Sequence, residues 1–133
     1  MKPAFLTLIG LTVFAASCKK TNPAFFIVDG TYNGTFQRQT STGGSISNVS
    51  ITFSENNYTG QSDVPRYPAI CHGAYIVKRS DSITFQNACF WTADFDWSLI
   101  LSGDYKIKVD GVYIEISRDY SNSIKDIYKL TKQ

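Results

Sequence analysis

Apolar and polar residues alternate with a period of two through most of this chain. The clearest run is residues 104–117, DYKIKV-DG-VYIEIS. Asp110-Gly111 at its centre suits a two-residue hairpin turn, where both central positions need positive φ. With that turn Val109 faces Val112, Ile107 faces Ile114 and Tyr105 faces Ile116, all on one side of the ribbon. The other side carries Lys108 opposite Tyr113 and Lys106 opposite Glu115. One face is apolar and one is wet, as in a half-buried antiparallel pair.

Other segments repeat the theme. Tyr32, Gly34 and Phe36 alternate with Thr31, Asn33, Thr35 and Gln37. Val49, Ile51 and Phe53 alternate with Ser50 and Thr52, after turn material at Thr42-Gly43-Gly44-Ser45. A short strand follows at 58–60. Residues 74–78 and 83–85 flank Ser80-Asp81-Ser82 as a second hairpin. Residues 97–101 read as a dense apolar strand, and residues 125–131 as the last one. No amphipathic helix is evident in this part of the chain, and residues 93–96 have room for one helical turn. Eight or nine strands of about six residues, with turn signals every eight to twelve, predict an all-β domain. Short turns make sequential strands neighbours. An antiparallel up-and-down meander of about eight strands closes most simply into a small barrel, which removes exposed edges; a β-sandwich is the alternative.

The N-terminus follows a different pattern. After Lys2, residues 4–16 (AFLTLIGLTVFAA) form an uncharged, mostly apolar run. It is shorter than the roughly 20 residues that span a bilayer as a helix, and it suits the core of a secretory signal peptide. Small residues and a cysteine close it: Ala15-Ala16-Ser17-Cys18. This stretch resembles the lipobox of bacterial lipoproteins, with Ala15 where many members carry Leu. The resemblance implies cleavage after residue 17 and a diacylglycerol on Cys18, often with a further acyl chain on the new amine. Two or more acyl chains anchor a protein stably where one does not. Residues 1–17 would then be a signal peptide, 18–28 a lipidated N-terminus and tether, and 29–133 the folded domain. Lys19-Lys20 after the anchor, with no Asp there, implies the outer membrane by the same resemblance, on its periplasmic face.

From about Gly30 to Leu130 the chain also looks like a lipocalin-like, calycin-type barrel of small bacterial lipoproteins. The carriers are Gly30-Thr31-Tyr32-Asn33-Gly34, the hairpin series and the closing Ile127-Tyr128-Lys129-Leu130. Strands shorter than those of ligand-carrying lipocalins argue against a deep cavity. A transmembrane barrel needs strands of roughly 9 to 11 residues.

Composition narrows the partners. Formal net charge is +2, and removal of Lys2 lowers it to +1, with 12 basic residues against 11 acidic. That near-neutral balance, without a basic cluster, excludes nucleic acid as the main partner. Aromatic residues make up 14% of the chain, which favours strands. With Cys18 lipidated, Cys71 and Cys89 remain. In an exported protein they can form a disulfide worth about 3 kcal/mol in the chain-entropy model; two buried thiols are the alternative.

Candidate chemistry is sparse. His72 is the single histidine, and no nucleophile motif stands beside it. Two cysteines and His72 are not a recognisable zinc set, so neither metal nor cofactor is expected. Trp91, Asp94, Asp96 and Trp97 form the one suggestive group. Alternation would put Asp94 and Asp96 on one face amid Trp91, Phe95 and Trp97. Paired acids beside aromatics suit glycan binding or glycosidase chemistry, though calcium would need six to eight oxygens; a solvated aromatic loop is the plain alternative. Asn33, Asn48 and Asn57 sit in N-glycosylation sequons, which a bacterial lipobox makes chance strings.

Three functional readings follow. The first is a non-catalytic, membrane-anchored binding protein of the envelope, taking a small apolar or glycan ligand or another envelope protein. The second is an inhibitor or accessory subunit acting through an exposed Phe90–Trp97 loop. The third is an envelope hydrolase using Asp94 and Asp96.

Overall fold

In the computed structural model, which describes residues 26–79 and 81–133, the chain forms a closed antiparallel barrel. Eight strands follow in order: β1 (Gly30–Gln39), β2 (Ile46–Ser54), β3 (Asn57–Ser62), β4 (His72–Val77), β5 (Ser82–Asn87), β6 (Gly103–Asp110), β7 (Tyr113–Tyr120) and β8 (Ile124–Lys132). Each pairs with its chain neighbour, and β1 pairs with β8 to close the circle. The predicted meander and its closure both form, so there is no sandwich. Several strands are longer than the expected six residues: β1 has 10 and β2 and β8 have 9.

Closure requires close approach at the seam. A Cβ on Gly34 would lie 1.8 Å from the Lys129 carbonyl oxygen, so only glycine lets β1 pass β8 at this point.

Alternation sends one side chain in two into a continuous core. Tyr32 and Phe36, Val49, Ile51 and Phe53, Tyr105 and Ile107, Ile114 and Ile116, and Tyr128 and Leu130 all point inward and are buried. The interior is packed with rings meeting edge to face: Phe53 on Tyr75 at 5.1 Å, Tyr58 on Phe85 at 5.2 Å and Phe85 on Tyr105 at 5.6 Å. The Tyr58 hydroxyl donates to the Leu101 carbonyl at 3.0 Å, and burial pushes its pKa up to about 12. An open groove of about 650 Å³ runs along the polar outer face of β1, β2 and β3.

Strand directions define two ends. The chain enters β1 at one end, together with the β2–β3, β4–β5 and β6–β7 turns and the C-terminus; this is the entry end. The other, the loop end, carries connections 40–45, 63–71, 88–102 and 121–123. Ile27 plugs the entry end, while Ile70 and Leu101 plug the loop end.

Two local expectations are corrected. The hairpin register differs by two residues: Val109 pairs with Ile114, Ile107 with Ile116 and Lys108 with Glu115. The turn is Gly111-Val112, with positive φ at Gly111 alone. Glycine at the first central position satisfies a type II′ turn, so Asp110 joins the strand instead. The facing of the side chains survives, because a shift of two preserves the period. Residues 97–101 are not a strand. Trp97–Leu99 form a 3₁₀ turn, the only helical element among the described residues, with Asp96 as its N-cap. An N-cap carboxylate captures a free amide of the first turn and draws the chain into a coil. Ile100 keeps a single bridge, parallel, to Ala69. The helical turn expected at 93–96 does not form there; the coil lies at Trp97–Leu99 instead.

Candidate binding surface

The loop end is built from its two longest connections, which lie against each other. The Ala69 amide donates to the Leu99 carbonyl and the Leu101 amide to the Ala69 carbonyl, both at 3.0 Å. The predicted Cys71–Cys89 disulfide ties the same two connections, with Cα atoms 6.3 Å apart. Loops without regular structure are thereby fixed at two neighbouring points.

Beneath them the interior turns polar. Arg38 on β1, Arg118 and Tyr120 on β7 and Asp126 on β8 extend the inward rows that hold Phe36, Ile116 and Tyr128. Arg38 Nε and Nη2 each donate to one Asp126 oxygen at 2.7 Å, and the Asp126 side chain is only 2% exposed. The pair is bidentate and charge-assisted. The Tyr120 hydroxyl accepts from Arg118 Nε at 2.8 Å and donates to Asp126 Oδ2 at 2.9 Å. Hydrogen bonding to Asp126 raises the Arg38 pKa against the opposing effect of burial. Burial, then the Asp126 charge, raises that of Tyr120.

The same guanidiniums hold the loop from inside. Arg38 Nη1 reaches Asp96 and Ser98 Oγ, each at 3.0 Å. Arg118 donates to the carbonyls of Ser98 at 3.1 Å and Ser102 at 2.8 Å, and its guanidinium lies 4.3 Å over the Tyr105 ring. Segment 96–102 is therefore latched to two strands, β1 and β7, by directional, charged bonds.

Outside the latch sit the residues singled out in the sequence. Because 91–97 is not a strand, alternation does not bring Asp94 and Asp96 into a pair. Asp94 accepts from Arg66 at 2.9 Å and from Thr92. Asp96 accepts from the Ser98 amide at 2.9 Å, the Ser98 hydroxyl at 2.6 Å and Arg38. Both carboxyls are held below their usual range, Asp94 by the Thr92 hydroxyl and then Arg66, Asp96 by the Ser98 hydroxyl and amide and then Arg38. Each stays ionised with its own cation, a form unsuited to donating a proton.

The aromatics are held by polar ends. Trp91 Nε1 donates to Asn87 Oδ1 at 3.2 Å, and its ring meets Phe95 edge-on at 5.8 Å. The Arg66 guanidinium lies 5.1 Å over the Phe95 ring. Trp97 Nε1 donates to the Thr92 carbonyl at 2.9 Å, yet the residue is 57% exposed. Phe90, next to the disulfide, is fully exposed. The Asn87 amide donates to the Cys89 carbonyl at 2.8 Å, fixing the chain just before it.

His72 lies close to the disulfide: ligand atoms of Cys71, His72 and Cys89 fall within 4.8 Å. The two sulfurs are bonded to each other, and metal ligation needs thiolates. Cys18 lies outside the described residues. The sequence reading missed Arg38, Arg118, Tyr120 and Asp126. A signal was present, since alternation puts a charged residue at the same end of three otherwise apolar rows. No protein-family model, curated protein or solved structure matches this chain.

Proposed function

We propose that this protein is a lipid-anchored, non-catalytic binding module of the cell envelope. Cys18 holds it on the periplasmic face of the outer membrane, and it recognises another envelope protein through the loop-end aromatics. The observation that carries this reading is the pinned loop with Phe90 fully exposed and Trp97 half-exposed, at the end of the barrel opposite the tether. Exposed aromatic anchors on a preorganised loop are the usual source of binding energy at protein interfaces, because little entropy is lost on docking. The rings packed edge to face in the core favour a surface partner over a small ligand in the barrel. The lipobox resemblance supports the anchor and the compartment, and the disulfide suits an oxidising one.

The test is affinity enrichment of the tagged full chain from envelopes of its source cell. A protein retained by the native chain should be lost about thirtyfold on Phe90→Ser with Trp97→Ala, the size of a hot-spot contribution near 2 kcal/mol. Ile76→Ser, at the other end, should retain it. Equal retention by all three would remove the loop from the interaction.

A further inference from the structure

We infer that the entry end of the barrel is itself a lipid-docking surface, resting flat on the bilayer so that the aromatic loop is held away from it. This rests on the anchored reading above and adds an orientation to it.

Three observations carry it. The first is where large apolar side chains are exposed. Among the described residues all nine lie at the two ends and none on the waist of the barrel. Five belong to the entry end: Phe26, Val28, Ile76, Val109 and Val112. The second is local geometry. Residues 26–29 cross the end as a strap. Ile27 points into the core, the Val28 carbonyl accepts from the Tyr32 hydroxyl at 2.8 Å, and Asp29 accepts from the Glu55 amide at 3.2 Å. Alternation about Ile27 turns Phe26 and Val28 outward, so Phe26 is 75% exposed.

The third is the chain before Phe26. Eight residues, 18–25, separate the candidate lipid attachment from the strap. They reach at most about 28 Å when extended. Ten-residue strands tilted as in small barrels make the body roughly 25 Å tall. An anchor level with the loop end would demand nearly all of that reach, whereas one at the entry end demands little of it. An anchored chain also gives its own surface an effective local concentration of about millimolar, so that weak apolar contact suffices for docking.

Charge sets the kind of lipid contact. Lys78, Arg79 and Lys132 at this end, with Lys19 and Lys20 of the tether, are offset by Asp29, Glu55, Asp81, Asp110 and the C-terminal carboxylate. With no basic excess, contact is apolar and indifferent to anionic lipid.

The experiment couples the chain beginning at Cys18, through that thiol, to a maleimide phospholipid. It is placed in vesicles of phosphatidylcholine, or of equal phosphatidylcholine and phosphatidylglycerol. This chain keeps the eight paired strands and the core of the described barrel whole. A nitroxide on a ketone-bearing side chain at position 112 should be relaxed by oxygen and shielded from a water-soluble nickel chelate. The same label at 121 should behave the opposite way, in both lipid mixtures. Phe26→Ser should raise nickel access at 112 about tenfold, the partition loss of one large apolar side chain. Equal nickel access at 112 and 121 would overturn the inference, as would spin–spin contact between 112 labels of two copies, which would make this end a dimer face. Synthetic coupling makes this result independent of natural lipidation. Mass spectrometry of the mature N-terminus from cells decides that separately.

Discussion

The two ends of the barrel are closed by opposite means. At the entry end a short strap lays one isoleucine, Ile27, over the core, held mainly by burial. At the loop end two long connections are fixed by a backbone bridge, a disulfide and two arginines bonded to Asp126, Asp96 and main-chain carbonyls. Apolar burial is non-directional: it seals an opening but does not specify where the next residue goes. Directional bonds do. Sealing alone does not need the ionic latch; the latch defines the position of segment 96–102, and so of Trp97.

This contrast can be broken from either side. The largest effect is expected from Asp126→Ala. It strips the Arg38 guanidinium, whose side chain is only 15% exposed, of its bidentate partner and should cost about 3–5 kcal/mol in denaturant unfolding, with amide exchange accelerated first in 96–102. Arg38→Met combined with Asp126→Leu should recover a substantial part, because the stranded charge rather than the missing bond dominates. Next, Cys71→Ser with Cys89→Ser should cost about 3 kcal/mol. The same loops should loosen while the strap stays protected. Ile27→Ala should cost about 2 kcal/mol, and its exchange effects should stay at the entry end, leaving Trp97 fluorescence unchanged. Loss of the Trp97 signature in that variant would show the ends to be coupled.

The smallest effect is the dependence on acid. Folding lowers the pKa values of Asp94 and Asp96. Their contribution is therefore present in full above their unfolded values near 4, and is lost as pH falls through the lower folded values. Both groups are solvent-exposed, so the stability change is slight. The measurement is tryptophan fluorescence of the intact fold between pH 5 and 2, in which Asp96→Asn should abolish the part due to the 3₁₀ turn. A variant titrating like the native chain would contradict the assignment of that turn to its cap.

The sequence made the barrel legible because period-two alternation and turn residues agree over most of the chain. In the β6–β7 hairpin the faces came through although the register did not, since Asp110-Gly111 and Gly111-Val112 both supply a glycine and differ by two residues in pairing. Residues 97–101 misled because apolar content alone does not separate a strand from a capped turn. Asp96 with Ser98 was the local competitor that won. Within the candidate surface, Cys71 and Cys89 were readable from compartment and count. The separation of Asp94 from Asp96 was not, because it depends on Arg66 and Arg38, 28 and 58 residues away in sequence. The inward charges at 38, 118 and 126 were readable in principle, once alternation was continued to the strand ends.

The most direct test of the central claim places a photo-crosslinking side chain at position 90, at 61 on the waist, or at 112 on the entry end, in the full chain expressed in its source cells. One discrete protein adduct at 90, absent at 61 and 112, is the predicted result. Adducts of the same protein at 61 or 112, or none at 90 while the chain is folded and envelope-bound, would contradict it.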